Sequence, residues 1–126
     1  MANQLRTVYV IDDDESVRTA LGRLLRSAKF VVETFSSADD FLSSPRQERD
    51  SCILLDLTMP GMHGFDFQKK LISSGVKIPV IVVSATDDEL VREYGQHLGA
   101  MAFLHKPVDD EVLLDAVTRA IEGTSE

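Results

Sequence analysis

The chain has 126 residues, 44% of them hydrophobic and 27% charged, the proportions of a single globular domain long enough to bury a core. Its 13 Lys and Arg against 21 Asp and Glu leave a net charge of -8, so the clustered cations that nucleic-acid binding requires are missing, and this domain itself is expected to bind no nucleic acid. No apolar stretch approaches the ~20 residues of a membrane span, and MANQLRTVYV lacks the apolar centre of a signal peptide, which excludes a membrane role and points to the cytoplasm.

In chain order, residues 7–11 (TVYVI) form a β-branched apolar run too short for a helix, and Asp14 then caps a predicted helix from Glu15 to about Ala28. Val17, Leu21, Leu24, Leu25 and Ala28 recur there at helical spacing, one stripe for packing on a sheet. A second strand is expected at 31–34 (VVET). After it, the region of Ser37, Asp39 and Asp40 opens a short helix carrying Phe41 and Leu42. SPRQERD, at 44–50, reads as a polar loop broken by Pro45, and residues 51–56 as a buried central strand.

LTMPGMHG follows, with Pro60, Gly61 and Gly64 making an irregular turn before a third helix from about Phe65 to Ser74 that Gly75 ends. Residues 79–83 (PVIVV) are the fourth strand, and a helix from about Asp87 to Leu98 closes at Gly99. Residues 101–104 (MAFL) make the fifth strand. After Pro107, Asp109 or Asp110 starts a last helix with Val112, Leu113, Val117, Ala120 and Ile121 at core-facing intervals. Cys52, the only cysteine, excludes an internal disulfide and is expected to be a buried small hydrophobe; without His or Cys partners nearby it argues against zinc. Five strands alternating with five helices imply a doubly wound α/β fold, a parallel sheet covered on both faces, because parallel strands need crossover connections.

Chemistry collects where these strands end: Asp12, Asp13 and Asp14 after VYVI, Asp56 after CILL, Ser84 after VIVV, and Lys106 just past AMAFLH. Open α/β sheets bind ligands outside the carboxyl ends of their strands, so these residues would converge at one edge. A DDDE run can also be an ordinary solvated helix start. Asp56 shifts the balance, because it follows a run that should lie deep in the sheet, and clustered carboxylates repel one another unless a cation relieves them. An oxygen-only donor set suits Mg²⁺, with Mn²⁺ as an alternative; an EF-hand is excluded because residues 12–23 lack its central Gly and final Glu. With a cation in place, Asp56 can attack phosphorus to form an aspartyl phosphate, while Lys106 and Ser84 flank the negative oxygens.

The pieces VYVIDDDESVR, LLDLTMPGMHG, VIVVSA and FLHKP, in this order and at these spacings, resemble the receiver domain of two-component response regulators over nearly the whole chain. Within that family the chain is most similar to receivers that precede helix-turn-helix output domains of the FixJ/NarL type. The resemblance implies a flavodoxin-like (βα)5 sheet in the order 2-1-3-4-5. It also implies an acid pair, Asp12 and Asp13, that holds Mg²⁺; Asp56 as phosphoacceptor and further ligand; and the backbone carbonyl of Thr58 as another ligand.

Ser84 matches the residue that bonds the phosphoryl oxygen, Lys106 the lysine that pairs with it, and Phe103 the switch aromatic, although an aromatic on a short strand is also ordinary core. The Lys106–Pro107 bond is cis in the family. Two positions depart from the common pattern: Val108 stands where many relatives carry Phe, and His105 precedes the lysine where small or acidic residues are common. An exposed His105 at the surface is the plain reading.

In family terms, phosphate from a cognate histidine kinase draws Ser84 inward, lets Phe103 fill the space, and promotes a homodimer through the face of the fourth helix, fifth strand and fifth helix. Such a chain is a signalling module rather than an enzyme, catalysing only its own phosphoryl transfer and dephosphorylation. Residues 1–126 are read as one receiver domain, either standing alone or as the N-terminal half of a regulator that reaches DNA through a C-terminal helix-turn-helix domain. A haloacid-dehalogenase-type phosphatase would need a second Asp where Thr58 stands. A nucleotide- or flavin-binding module would want a Gly-rich loop where the chain has DDDES.

Overall fold

The computed structural model describes residues 6–57, 62–85 and 87–124, the side chains at 56, 57, 62–64 and 124 aside. Strands and helices alternate: β1 (Thr7–Ile11), α1 (Glu15–Ser27), β2 (Val31–Phe35), α2 (Ala38–Ser43), β3 (Ser51–Leu57), α3 (Met62–Ser73), β4 (Val80–Ser84), α4 (Glu89–His97), β5 (Ala100–His105) and α5 (Asp110–Thr124). The five strands form one parallel sheet in the order β2-β1-β3-β4-β5, the doubly wound topology expected from the alternation.

Local chemistry sets most of the boundaries. Asp14 caps α1 by accepting from the Ser16 amide at 2.9 Å, Ser37 caps α2 by accepting from the Asp40 amide at 3.1 Å, and Asp88 caps α4 by accepting from the Leu90 amide at 2.9 Å. Gly75 and Gly99 end α3 and α4 with φ of 73° and 98°, the left-handed region that a Cβ disfavours.

Side-chain parity divides the core in two. One layer, under α1 and α5, takes Val8, Val10, Cys52, Leu54, Ile81 and Val83; the other, under α2 and α3, takes Tyr9, Ile11, Ile53, Leu55 and Val82 with Phe41, Phe67 and Leu71. β4 and β5 are out of simple register: Val80 pairs with Ala100 but Ile81 with Ala102, leaving Met101 as an extra residue in the edge strand.

Several boundaries differ from expectation. β3 runs on to Leu57, so Asp56 lies inside the strand. β4 is Val80–Ser84 instead of 79–83, which makes Ser84 its last residue, and α3 begins at Met62 instead of Phe65. The fourth helix is shorter than 87–98 because Asp88 serves as its cap, and β2 and β5 extend beyond the expected 31–34 and 101–104. Val112 is a correction to the core: it is 51% exposed, because the buried stripe of α5 consists of Leu113, Val117, Ala120 and Ile121, and a neighbour one position away is rotated off that stripe.

Candidate functional site

The parallel register determines what meets at the carboxyl edge. Ile11 is level with Leu55, so the chain leaves β1 at Asp12 beside the backbone of Asp56; Asp56 pairs with Val83, and Ser84 pairs with both Leu57 and His105. Lys106 follows immediately, its amide donating to the Ser84 carbonyl at 2.8 Å, and the Lys106–Pro107 bond is cis. Asp12, Asp56, Ser84 and Lys106 therefore leave neighbouring strands at one end of the sheet.

The acids divide by environment. Asp12 is 2% exposed and accepts from the Asp14 amide at 2.9 Å, while Arg18 donates from Nη1 to the Asp12 carbonyl at 2.6 Å and pins the turn. Asp13 is exposed at the rim. Asp14, the third acid of the run, is a cap: its Oδ1 takes both the Ser16 hydroxyl at 2.7 Å and the Ser16 amide, and these bonds hold its carboxyl below the usual range.

A buried carboxylate beside an exposed one, with oxygen donors throughout, fits a hard dication. Among the described residues no group of three His, Cys, Asp or Glu could hold a metal unaided. The side chain of Asp56, the third expected carboxylate, and all of Thr58 lie outside the described residues.

Ser84 is fully buried and Lys106 half-buried. Phe103 pairs with Val82, which puts it on the Ser84 face, where it packs as a partly buried member of the layer under α3. Its core packing and its place on the Ser84 face coexist. Cys52 is buried as expected, and desolvation pushes its thiol up to about 12.

Two contacts escaped sequence reasoning. His105 is exposed, as its plain reading has it, and its Nε2 lies 2.7 Å from Asp87 Oδ1, joining the end of β5 to the loop between β4 and α4. Arg18 secures the acidic turn through a backbone carbonyl. Neither has a sequence signal, since each depends on where a long side chain lands and not on a pattern of residue types.

Comparison with known proteins places these features in context. The model of the response regulator receiver domain matches residues 8–118. The response regulator protein TodT of Pseudomonas putida is 37% identical over 122 residues, which are 97% of this chain and 54% of TodT. The transcriptional regulatory protein FixJ of Rhizobium meliloti is 34% identical over 116 residues, 92% of this chain and 57% of FixJ. The chain thus spans about half the length of the curated relatives it matches. Among solved structures, the crystal structure of FixJ-N superposes with a TM-score of 0.83 at 33% identity, covering 95% of this chain and 96% of that one.

Proposed function

The chain belongs to the response regulator receiver domain family, and from that premise we propose that it is a phosphorylation-activated switch in which Asp56 accepts a phosphoryl group from a cognate histidine kinase. Receiver domains of response regulators are signalling modules, not classical enzymes, and response regulators work with histidine kinases. The observation that carries the reading is the shared sheet edge: Asp12, Asp56, Ser84 and Lys106 leave four different positions of the sequence and arrive at adjacent strand ends.

In this reading a carboxylate oxygen of Asp56 forms a bond to phosphorus as the phosphorus–nitrogen bond of a phosphohistidine breaks and the imidazole departs. The Lys106 ammonium and the Ser84 hydroxyl stabilise the oxygens of the transferred group, and positioning supplies the rest of the rate. Asp12, Asp13 and Asp56, with the Thr58 carbonyl, would hold Mg²⁺ or Mn²⁺, whose chemistry here is charge neutralisation. The phosphate biases an equilibrium between two arrangements of Ser84 and Phe103, because a ligand shifts a population only by its differential affinity. The domain's own contribution to chemistry is limited to accepting and losing this phosphate.

The relatives' names and lengths support an output step. FixJ is called a transcriptional regulatory protein, and the matched region is about half of it. We read residues 1–126 as the receiver of a transcriptional regulator that works in the cytoplasm and reaches DNA through a helix-turn-helix domain C-terminal to this one. Among the described residues no helix is long and apolar enough to cross a membrane.

Incubation with radiolabelled acetyl phosphate and Mg²⁺ tests the centre of the proposal. The expected result is slow, stoichiometric, hydroxylamine-sensitive labelling that Asp56→Asn abolishes and chelation of Mg²⁺ suppresses. Retained labelling in Asp56→Asn, or steady turnover of a phosphomonoester, would overturn it.

A further inference from the structure

Gln68 lies in the middle of α3 at 2% exposure, a polar side chain that the phosphoacceptor chemistry does not use. Its Nε2 donates to the Gly95 carbonyl of α4 at 3.0 Å, a buried hydrogen bond between residues 27 positions apart. That carbonyl is among the last four of α4, the set that a helix leaves without a regular partner. Its neighbours are closed locally, Tyr94 by the Leu98 amide at 3.0 Å and Gln96 by the Gly99 amide at 2.9 Å. Gln68 thus caps α4 from another helix.

The other half of the amide explains why it is there. Among the described residues Gln68 Oε1 accepts no hydrogen bond, so the donor is what the position gains from Gln; a Met or Leu there would remove the unpaired Oε1 but take from the buried Gly95 carbonyl the hydrogen bond Gln68 gives it. Gly95 completes the junction. A Cβ there would lie 3.1 Å from Phe103 Cε2, a tight contact, and 3.8 Å from Gln68 Oε1, an ordinary one, so the absence of a side chain lets the ring and the amide meet the same turn of α4 without a shift of the ring. Phe65 packs edge-on against Tyr94, ring centroids 4.7 Å apart, at this same end.

The opposite end of α4 is exposed, residues 87–90 all lying at the surface. It follows the loop from Ser84, where Asp87 meets His105 of β5 at 2.7 Å through side chains that are 91% and 50% exposed. Exposed pairs of this kind are weak constraints.

We propose that Gln68 is a positioning residue that fixes the C-terminal end of α4 to α3, so that the helix pivots about Gly95 when Asp56 is phosphorylated and its Asp88 end moves. The pivot rests on the reading of Asp56 as phosphoacceptor. Double spin labelling tests it in the whole chain. Cysteines replace Leu90 or Gln96, each paired with one replacing the exposed Arg23 of α1, and the buried Cys52 with its raised pKa stays unlabelled.

On adding beryllium fluoride and Mg²⁺, the expected result is a shift in the 23–90 distance and a stationary 23–96 distance, with both moving in Gln68→Met. A merely structural Gln68 would lower stability in that variant without releasing residue 96. Equal movement at both ends with Gln68 intact, a stationary 23–90 distance once fluoride is bound, or a stationary residue 96 in Gln68→Met overturns the pivot. If no fluoride binds, as read by ¹⁹F NMR, and neither distance changes, the phosphoacceptor reading fails and the pivot falls with it.

Discussion

At the scale of single residues, burial decides which titratable groups are silent. Cys52 is enclosed by the layer under α1 and α5, and its thiol is pushed up to about 12 by desolvation. The thiolate is the reactive form, so the native protein should not react with a disulfide reagent near pH 8 while the urea-unfolded chain reacts with one equivalent. Tyr9 is 1% exposed, and its hydroxyl accepts from the Gln47 amide at 2.7 Å; burial is the largest cause that raises its pKa above 10.0.

The sign of the linkage follows from that shift. The folded state favours the neutral phenol, so Tyr9 contributes its full stability below the unfolded pKa and loses it as pH rises toward the folded one. Tyr9→Phe should cost about 0.5–1.5 kcal/mol near neutral pH, a gap that narrows above about pH 10, as urea midpoints at several pH values would report.

At the scale of elements, α2 shows how a short helix is kept in place. It spans six residues, far below what is stable alone, and Phe41 anchors it: the ring is fully buried and meets Tyr9 and Phe35 edge-on at 5.4 Å and Phe67 at 6.2 Å. Phe41→Ala should lower unfolding free energy by about 3–5 kcal/mol in urea denaturation, with little loss of Mg²⁺-dependent labelling in the fraction that stays folded.

The elements themselves were legible because apolar runs bounded by Asp, Ser, Gly and Pro carry both their period and their stops. Asp14, Ser37, Gly75 and Gly99 fell where those rules put them. Element ends were less legible, since Leu57 and Ser84 extend their strands through pairing with neighbours that no local window contains. Gln68 was illegible for the same reason: within FDFQKKL it looks like any exposed polar helix residue, and only the approach of α4 makes it a cap.

At the scale of the whole molecule, the surface expected to join two copies carries apolar side chains on each of its three elements: Leu90 at 73% exposure on α4, Met101 at 53% on β5 and Val112 at 51% on α5. The exposure of Val112 takes it off the core stripe of α5. With beryllium fluoride and Mg²⁺, light scattering should report a dimer, and Leu90→Arg should return a monomer that still labels on Asp56; a wild-type chain that remains monomeric would refute dimerisation by this face.

The doubled step at Met101 reaches further than the edge strand it occupies. Ala100 packs on the α2 and α3 side, whereas Ala102 and Leu104 pack on the α1 and α5 side and Phe103 returns to the first. In an unbroken strand, residues 100 and 102 would share a side, and Phe103 would fall on the one opposite Ser84. A single inserted residue therefore works as a phase inverter, and it decides which side of the sheet, and so which helices, can sense the aromatic ring at all.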